Sequence, residues 1–298
     1  MQRLTRDHKI YFLDPEIPPA ISIQSGEEMI VETWDAFEGT RDALEFQSRT
    51  NIGPAIGPIH VTGAEPGDAL KIDFLSVTPK AHENAAHMMM AGRGFLNTDF
   101  LDGHCTPLTI EGNDIIFPGA LRIPMRPSMG FVATTPTYRQ STASDSGPYG
   151  GDIDMQELVA GSTLWLPVFV PGGMLAMGDC HALACDGAVA GTAAECASDA
   201  HIRVTVERGA DLAAPRALTP TSFATLAYGS DLGSAMRQAV RYMVDFLVQE
   251  HDMDPLDAYT LLSLAADIRL SRTFREVSSV KLLLARSVLE QLEKRSGA

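Results

Sequence analysis

Glu65–Val77 reads EPGDALKIDFLSV. Pro66 presets a turn angle and Gly67 can supply positive φ. Beyond the turn, Leu70, Ile72 and Phe74 alternate with Lys71 and Asp73. A period of two throws the apolar set onto one face, so Ala69–Val77 is expected to be a strand in a sheet with one buried face. Working upstream, Ile59–Thr62 is strand-like, and Ala20–Gln24 and Glu28–Trp34 flank a Ser25-Gly26 turn. Downstream, Leu108–Glu111, Asp114–Phe117 and Leu121–Pro124 read the same way. Thr134–Gly151 is rich in Thr, Ser, Pro and Gly, and is expected to be a long loop of the kind that carries function. The first two thirds of the chain is therefore a strand-rich body over residues 1–222.

After about Ser222 the period changes. Met236, Val240, Met243, Val244 and Leu247 recur at helical spacing behind Asp231, a suitable N-cap. Asp254-Pro255 opens a second helix expected to run to about Asp267, with Pro255 at the favoured first position. A strand at Val280–Leu284 and an amphipathic helix at Arg286–Arg295 complete a helix-rich portion over residues 223–298. Pro58–Phe74 (PIHVTGAEPGDALKIDF) and Leu166–Leu183 (LPVFVPGGMLAMGDCHAL) share an order of strand, glycine turn and Gly-Asp entering a strand. Related sheets or turn chemistry alone could produce that likeness.

Composition narrows the function classes. The 298 residues, 45% hydrophobic and 20% charged, can bury a full core, as one large or two smaller domains. A formal net charge of −15 opposes a nucleic-acid-binding surface. Neither a signal peptide nor a membrane span is expected from the apolar runs. Cys105, Cys180, Cys185 and Cys196 form no CxxC pair, and are read as small buried thiols in a reducing cytoplasm rather than a disulfide framework. Gly92-Arg93-Gly94 and Gly172-Gly173 lack the Lys-Ser/Thr of a phosphate loop, and no GxSxG elbow accompanies the serines of 141–146.

The chemistry concentrates in Gly178–Glu195, GDCHALACDGAVAGTAAE. Asp179 and His181 are two apart and leave one face of an extended strand. Buried there, they need a partner such as a metal ion or a polar substrate. With Asp186, Glu195, and Asp152 and Asp154 of Gly150–Asp154, they offer the carboxylate and imidazole donors of a zinc or other divalent-ion site. A remaining carboxylate such as Glu195 could act as general base. Without a metal, paired carboxylates could exchange protons, and Asp152, Asp154 and Asp186 could equally be turn residues bonding local amides. Cys180 and His181 are adjacent, so they point to opposite faces and make a poor nucleophile–base pair. Met88–Met90 are read as core filling ahead of pocket lining. His82, His87 and His104 lie in the less regular stretch 80–105, and His87 is taken as a candidate substrate-binding residue.

Five segments in order resemble the acetamidase/formamidase family over nearly the whole length: NIGPAIGPIHVTGAEPGD, the RIPMRPSMGFVATTP run, GPYGGDIDMQELVAGSTLWLPVFVPGG, MGDCHALACDG with GTAAE, and DAYTLLSLAADIRLS. The resemblance implies a mainly β protein, a β-sandwich-like body with an α/β, helix-rich C-terminal part. It implies a cytoplasmic homo-oligomer that hydrolyses short aliphatic amides to carboxylate and ammonia, and a divalent metal, zinc foremost. Asp154 falls on the acidic position of the family's GGNxD pattern, with Asp152 where Asn is usual. Asp179 and His181 fall on GDxH, and Glu195 on the downstream Glu. Asp186 and Gly187 match GDGE, whereas Cys185 replaces its first Gly and Ala188 its Glu. On this reading Asp179, His181 and Asp154 hold the metal, and Glu195, Asp186 and Asp154 are the catalytic candidates. Asp152 and His87 bind substrate. Ala188 opens two alternatives, a member that binds without hydrolysing and one that cleaves a different C–N bond.

Overall fold

The computed structural model describes residues 1–143, 146–272 and 277–296. The EPGD turn forms as its residues dictate: Asp68 N–H donates to the Glu65 carbonyl at 3.0 Å, and Glu65 N–H to the Asp68 carboxylate at 3.0 Å. Strand Ala69–Pro79 follows, with Leu70, Ile72 and Phe74 buried. It lies inside a nine-stranded sheet, between Ser198–Glu207 and Thr163–Pro167 among the described residues. A second, twelve-stranded sheet is centred on Leu175–Leu183, which pairs with Ser128–Ala133, Ala194–Cys196 and Ala55–Val61. Ile72, Phe74 and Ile202 of one sheet and Met129, Met177 and Cys180 of the other share one apolar cluster. The body is thus a sandwich whose main core lies between two sheets.

The two look-alike segments are explained by that architecture. Ala55–Val61 and Ala69–Pro79 belong to different sheets, and so do Thr163–Pro167 and Leu175–Leu183. Each glycine turn carries the chain from one sheet to the other, in opposite senses. The first strand of one arch pairs antiparallel with the second strand of the other. Their turns bond directly: Val61 N–H donates to Gly172 O at 2.9 Å and Val168 N–H to Asp68 O at 2.9 Å. Gly172 lies at φ +78° against the His60 ring, so a side chain there would both strain the backbone and strike the imidazole.

Helix Leu232–His251 starts where expected, with Asp231 accepting from Ser234 N–H at 2.9 Å. Together with Pro255–Ala265 and Arg286–Ser296 it covers the Ser222–Gly229 and Ser278–Ala285 strands, burying Phe223, Met243, Leu247 and Leu284 in a second cluster. The expectation of helix to Asp267 is corrected: Asp267 lies in strand Ala266–Arg272, antiparallel to Ser278–Ala285. There Ile268 and Leu270 alternate with Asp267 and Arg269, a period of two that overrides the preceding helical run. Within Thr134–Gly151 the chain makes short strands Gln140–Ser141 and Ser146–Gly147, and Gly150–Asp152 begins at its end. Ser144 and Asp145 of that stretch lie outside the described residues. Among the described residues no helix is long and apolar enough to cross a membrane.

Candidate functional site

Strand pairing sets the site. Ser128, His181, Glu195 and Ala86 stand directly opposite one another across four adjacent strands. Residues opposite each other share a face, so this row points away from the inter-sheet core. The next row, Met129, Cys180, Cys196 and Ala85, faces into it. Cys180 and His181 therefore diverge as expected, and Cys180 lies 3.8 Å from Cys196 as one of two buried free thiols. His87 follows Ala86 and so leaves the opposite face from Glu195. It stands beside His104, half-buried, where burial first and His104 second lower its pKa. Strand alternation therefore does not bring His87 to this cluster.

Asp179 and His181 do share a face: Asp179 Oδ2 is 3.6 Å from His181 Nε2. Glu195 Oε2 lies 3.3 Å and Asp154 Oδ1 3.8 Å from the same nitrogen. Three carboxylates thus surround one imidazole that is 2% exposed. Asp154 and Asp179 both adopt left-handed backbone, φ 47° and 54°. Asp tolerates that conformation better than most residues, but it is rarely held without a reason.

The reason for Asp154 is Gly130. Its carbonyl accepts the amides of both Ile153 (2.8 Å) and Asp154 (3.0 Å), which folds the 152–154 segment back onto the sheet. A Cβ at Gly130 would stand 2.5 Å from His181 Cε1 and 2.6 Å from the Asp179 carbonyl. The ring can lie over this strand only because residue 130 has no side chain. Gly130 was not singled out from the sequence. Its signal was its place in the RIPMRPSMGFVATTP run, without the neighbours that explain it.

Electrostatics favour proton retention here. Burial, then Asp179, raises the Glu195 carboxyl to about 8, with His181 opposing. For His181, burial disfavours the imidazolium, but Glu195 and Asp179 outweigh it and raise the pKa well above the usual imidazole value. Asp154, Asp179 and His181 each offer a donor atom within 4.8 Å of the others. Nitrogen and oxygen donors of this kind fit zinc or another divalent cation.

A cavity of about 50 Å³ opens on this cluster. Phe37, Phe46, Ile52, Met90 and Phe131 form its apolar side, and Asp152, Asp179, Glu195 and Arg93 its polar side. Phe37 and Phe46 meet edge to face at 5.2 Å. Thr142 and Ala143 bring the Thr134–Gly151 stretch to the wall, as a functional loop should. Asp152 also lines the cavity. Met88 is core, whereas Met90 is both buried and cavity-lining.

Asp186 is held in a different cluster. Its carboxylate accepts from Gln156 Nε2 at 2.5 Å and from Lys281 Nζ at 2.6 Å. Lys281 is wholly buried and also bonds Glu157 at 2.5 Å. A buried ammonium demands such partners, so Asp186 is committed to charge compensation and is not a general acid or base at the His181 cluster. Through Gln156 and Glu157 the same network anchors the segment that bears Asp154.

Against known proteins, the model of the acetamidase/formamidase family matches residues 5–146 and 140–275. An acetamidase of Mycolicibacterium smegmatis is 26% identical over 59% of this chain and 60% of its own. The chain thus spans about 60% of the length of the curated relatives it matches. Solved structures align almost end to end. A recombinant predicted acetamidase/formamidase from Thermoanaerobacter tengcongensis is 28% identical over 98% of both chains, with a TM-score of 0.92. An acetamidase from Bacillus halodurans is 31% identical over 97% of this chain and 99% of its own, also at 0.92. The chain belongs to the acetamidase/formamidase family.

Proposed function

We propose that this member of the family hydrolyses the C–N bond of a short linear amide, releasing carboxylate and ammonia, at the cavity bounded by Asp179 and Glu195. The observation that carries the reading is one buried imidazole ringed by three carboxylates beside a small, aromatic-walled cavity. About 50 Å³ is room for a few water-sized molecules, which suits an amide the size of formamide or acetamide. Phe37, Phe46, Ile52 and Met90 suit its short acyl group, and the Asp152 carboxylate can accept from its NH₂.

Asp154, Asp179 and His181 would hold a divalent cation, zinc by preference. Such an ion, when bound, supplies a polarised carbonyl and a more acidic water. Glu195 takes the proton of the attacking water and returns it to the departing nitrogen. The raised carboxyl suits the second transfer, and a bound cation would favour the ionised form that the first requires. Asp154 and Asp179 orient His181. The catalytic candidate list reduces to Glu195, with Asp154 and Asp179 as its supporting carboxylates. We also place the protein in the cytoplasm, where its four free thiols suit a reducing compartment.

A second reading, binding without hydrolysis, draws on Ala188. Ala188 lies in a tight turn, φ 38°, whose carbonyl accepts Gly191 N–H at 2.7 Å. The His181 cluster has three carboxylates without it, which favours the hydrolytic reading. The deciding experiment is ammonia release from formamide, acetamide and propionamide, with and without chelator. Turnover that chelator abolishes and zinc restores is expected. A folded, metal-replete sample inert toward all three would sink the proposal.

A further inference from the structure

Behind the row that carries His181 lies a pair of thiols. Cys180 and Cys196 stand directly opposite each other on the antiparallel strands Leu175–Leu183 and Ala194–Cys196. Both are free and fully buried in the inter-sheet core, and their sulfurs meet at 3.8 Å. Residues directly opposite in an antiparallel pair have Cα atoms about 4.5 or 5.5 Å apart. A disulfide spans roughly 4.4–6.8 Å between Cα atoms. Side-chain rotation can therefore bridge this pair with the backbone left where it is. The other two cysteines are placed differently. Cys105 stands opposite Met88, and Cys185 is exposed beyond the end of its strand.

Each member of the pair is the chain neighbour of a site residue. Cys180 lies between Asp179 and His181, and Cys196 follows Glu195. Asp179 and Glu195 line the cavity, so the strands that bear the thiols are part of its wall. A water-sized oxidant that enters the cavity is then one strand's thickness from the sulfurs. We infer that Cys180 and Cys196 form an oxidisable dithiol, which hydrogen peroxide converts to a cross-strand disulfide that locks the two strands of the site together. One sulfur attacks the peroxide O–O bond, giving a sulfenic acid and one water. The second sulfur attacks the first, the S–S bond forms as S–O breaks, and a second water leaves. The two thiols give up two electrons and two protons, and the peroxide is reduced to two waters. The link joins residues 16 apart in the chain and encloses His181, Asp186 and Glu195. Excess thiol reverses it by exchange.

Oxidation of a variant that keeps only this pair tests it. Cys105→Ser/Cys185→Ser removes the competing thiols, and neither position is fully buried. After hydrogen peroxide, thiol titration in denaturant should fall from two groups to none. The intact mass should drop by two hydrogens, and dithiothreitol should restore both thiols. The bridge removes freedom from the unfolded chain, so the oxidised protein should melt roughly 5 °C above the reduced one. Adding Cys180→Ala leaves Cys196 alone, and peroxide should then give no rise in Tm. Thiols that survive peroxide, a mass gain from oxygen retained on sulfur, a link between chains on a non-reducing gel, or a bridged protein that melts no higher would each overturn the inference.

Discussion

A single methyl at Gly130 should disable the candidate site while leaving the fold in place. The Cβ of Gly130→Ala would begin 2.5 Å from His181 Cε1, 2.8 Å from Nε2 and 2.6 Å from the Asp179 carbonyl. Ordinary carbon contacts begin near 3.4 Å, so the imidazole must retreat by about 1 Å. It cannot do so freely, because it is almost fully buried and the Asp179 backbone is already left-handed. Overpacking of this kind costs about 1–3 kcal/mol. For a chain of this size that is a fall in Tm of roughly 2–5 °C. Displacing a reacting group by about 1 Å typically costs on the order of 10²-fold in rate. Amide turnover should therefore drop about a hundredfold, measured as ammonia release, in a protein that still melts cooperatively. A second measurement isolates the ring. In a His181→Ala background the two ring contacts are gone and the Asp179 carbonyl contact remains, so Gly130→Ala should cost less stability there than in wild type. Equal costs in both backgrounds, or a Gly130→Ala protein with wild-type turnover, would refute this account.

Other outcomes follow from the same geometry. Lys281→Met strands the Glu157 and Asp186 carboxylates and should lower stability by about 3 kcal/mol, whereas adding Glu157→Gln and Asp186→Asn should recover much of it, by differential scanning calorimetry. Cation-stripped protein should lose stability as pH rises from about 4.5 through about 8. Glu195 and His181 both have raised folded pKa values, so the native state binds more protons than the unfolded chain and the slope is negative. Zinc titrated into that protein should release about one proton or more, read by calorimetry in buffers of different ionisation enthalpy. Ala188→Glu discriminates between the two functional readings. Under hydrolysis it should leave existing ammonia release largely intact, because residue 188 is not among the cavity-lining residues. The appearance of activity in an otherwise inert protein would instead favour the binding reading.

Much of this molecule was legible from residues alone, where the information is local. Leu70, Ile72 and Phe74 declared a strand because alternation is a property of one segment. Asp231 declared a helix start because a cap bonds an amide three residues away. Asp179 and His181 come together as their spacing suggested, although a left-handed Asp179, φ 54°, interrupts the extended chain between them and their neighbours. Tertiary structure decided what depends on which strands become neighbours. Only the Leu175–Leu183 to Ala194–Cys196 pairing puts Glu195 opposite His181, and only Gly130 brings Asp154 to them. Pairing of Ala194–Cys196 with Ala85–Met89 turns His87 away from this face, and the buried ammonium of Lys281 claims Asp186 from 95 residues along the chain. Spacing can show which side chains share a face. Which buried charge each must neutralise depends on contacts between distant segments, and there the carboxylates of Gly178–Glu195 divide, Asp179 and Glu195 to the cavity and Asp186 to the lysine.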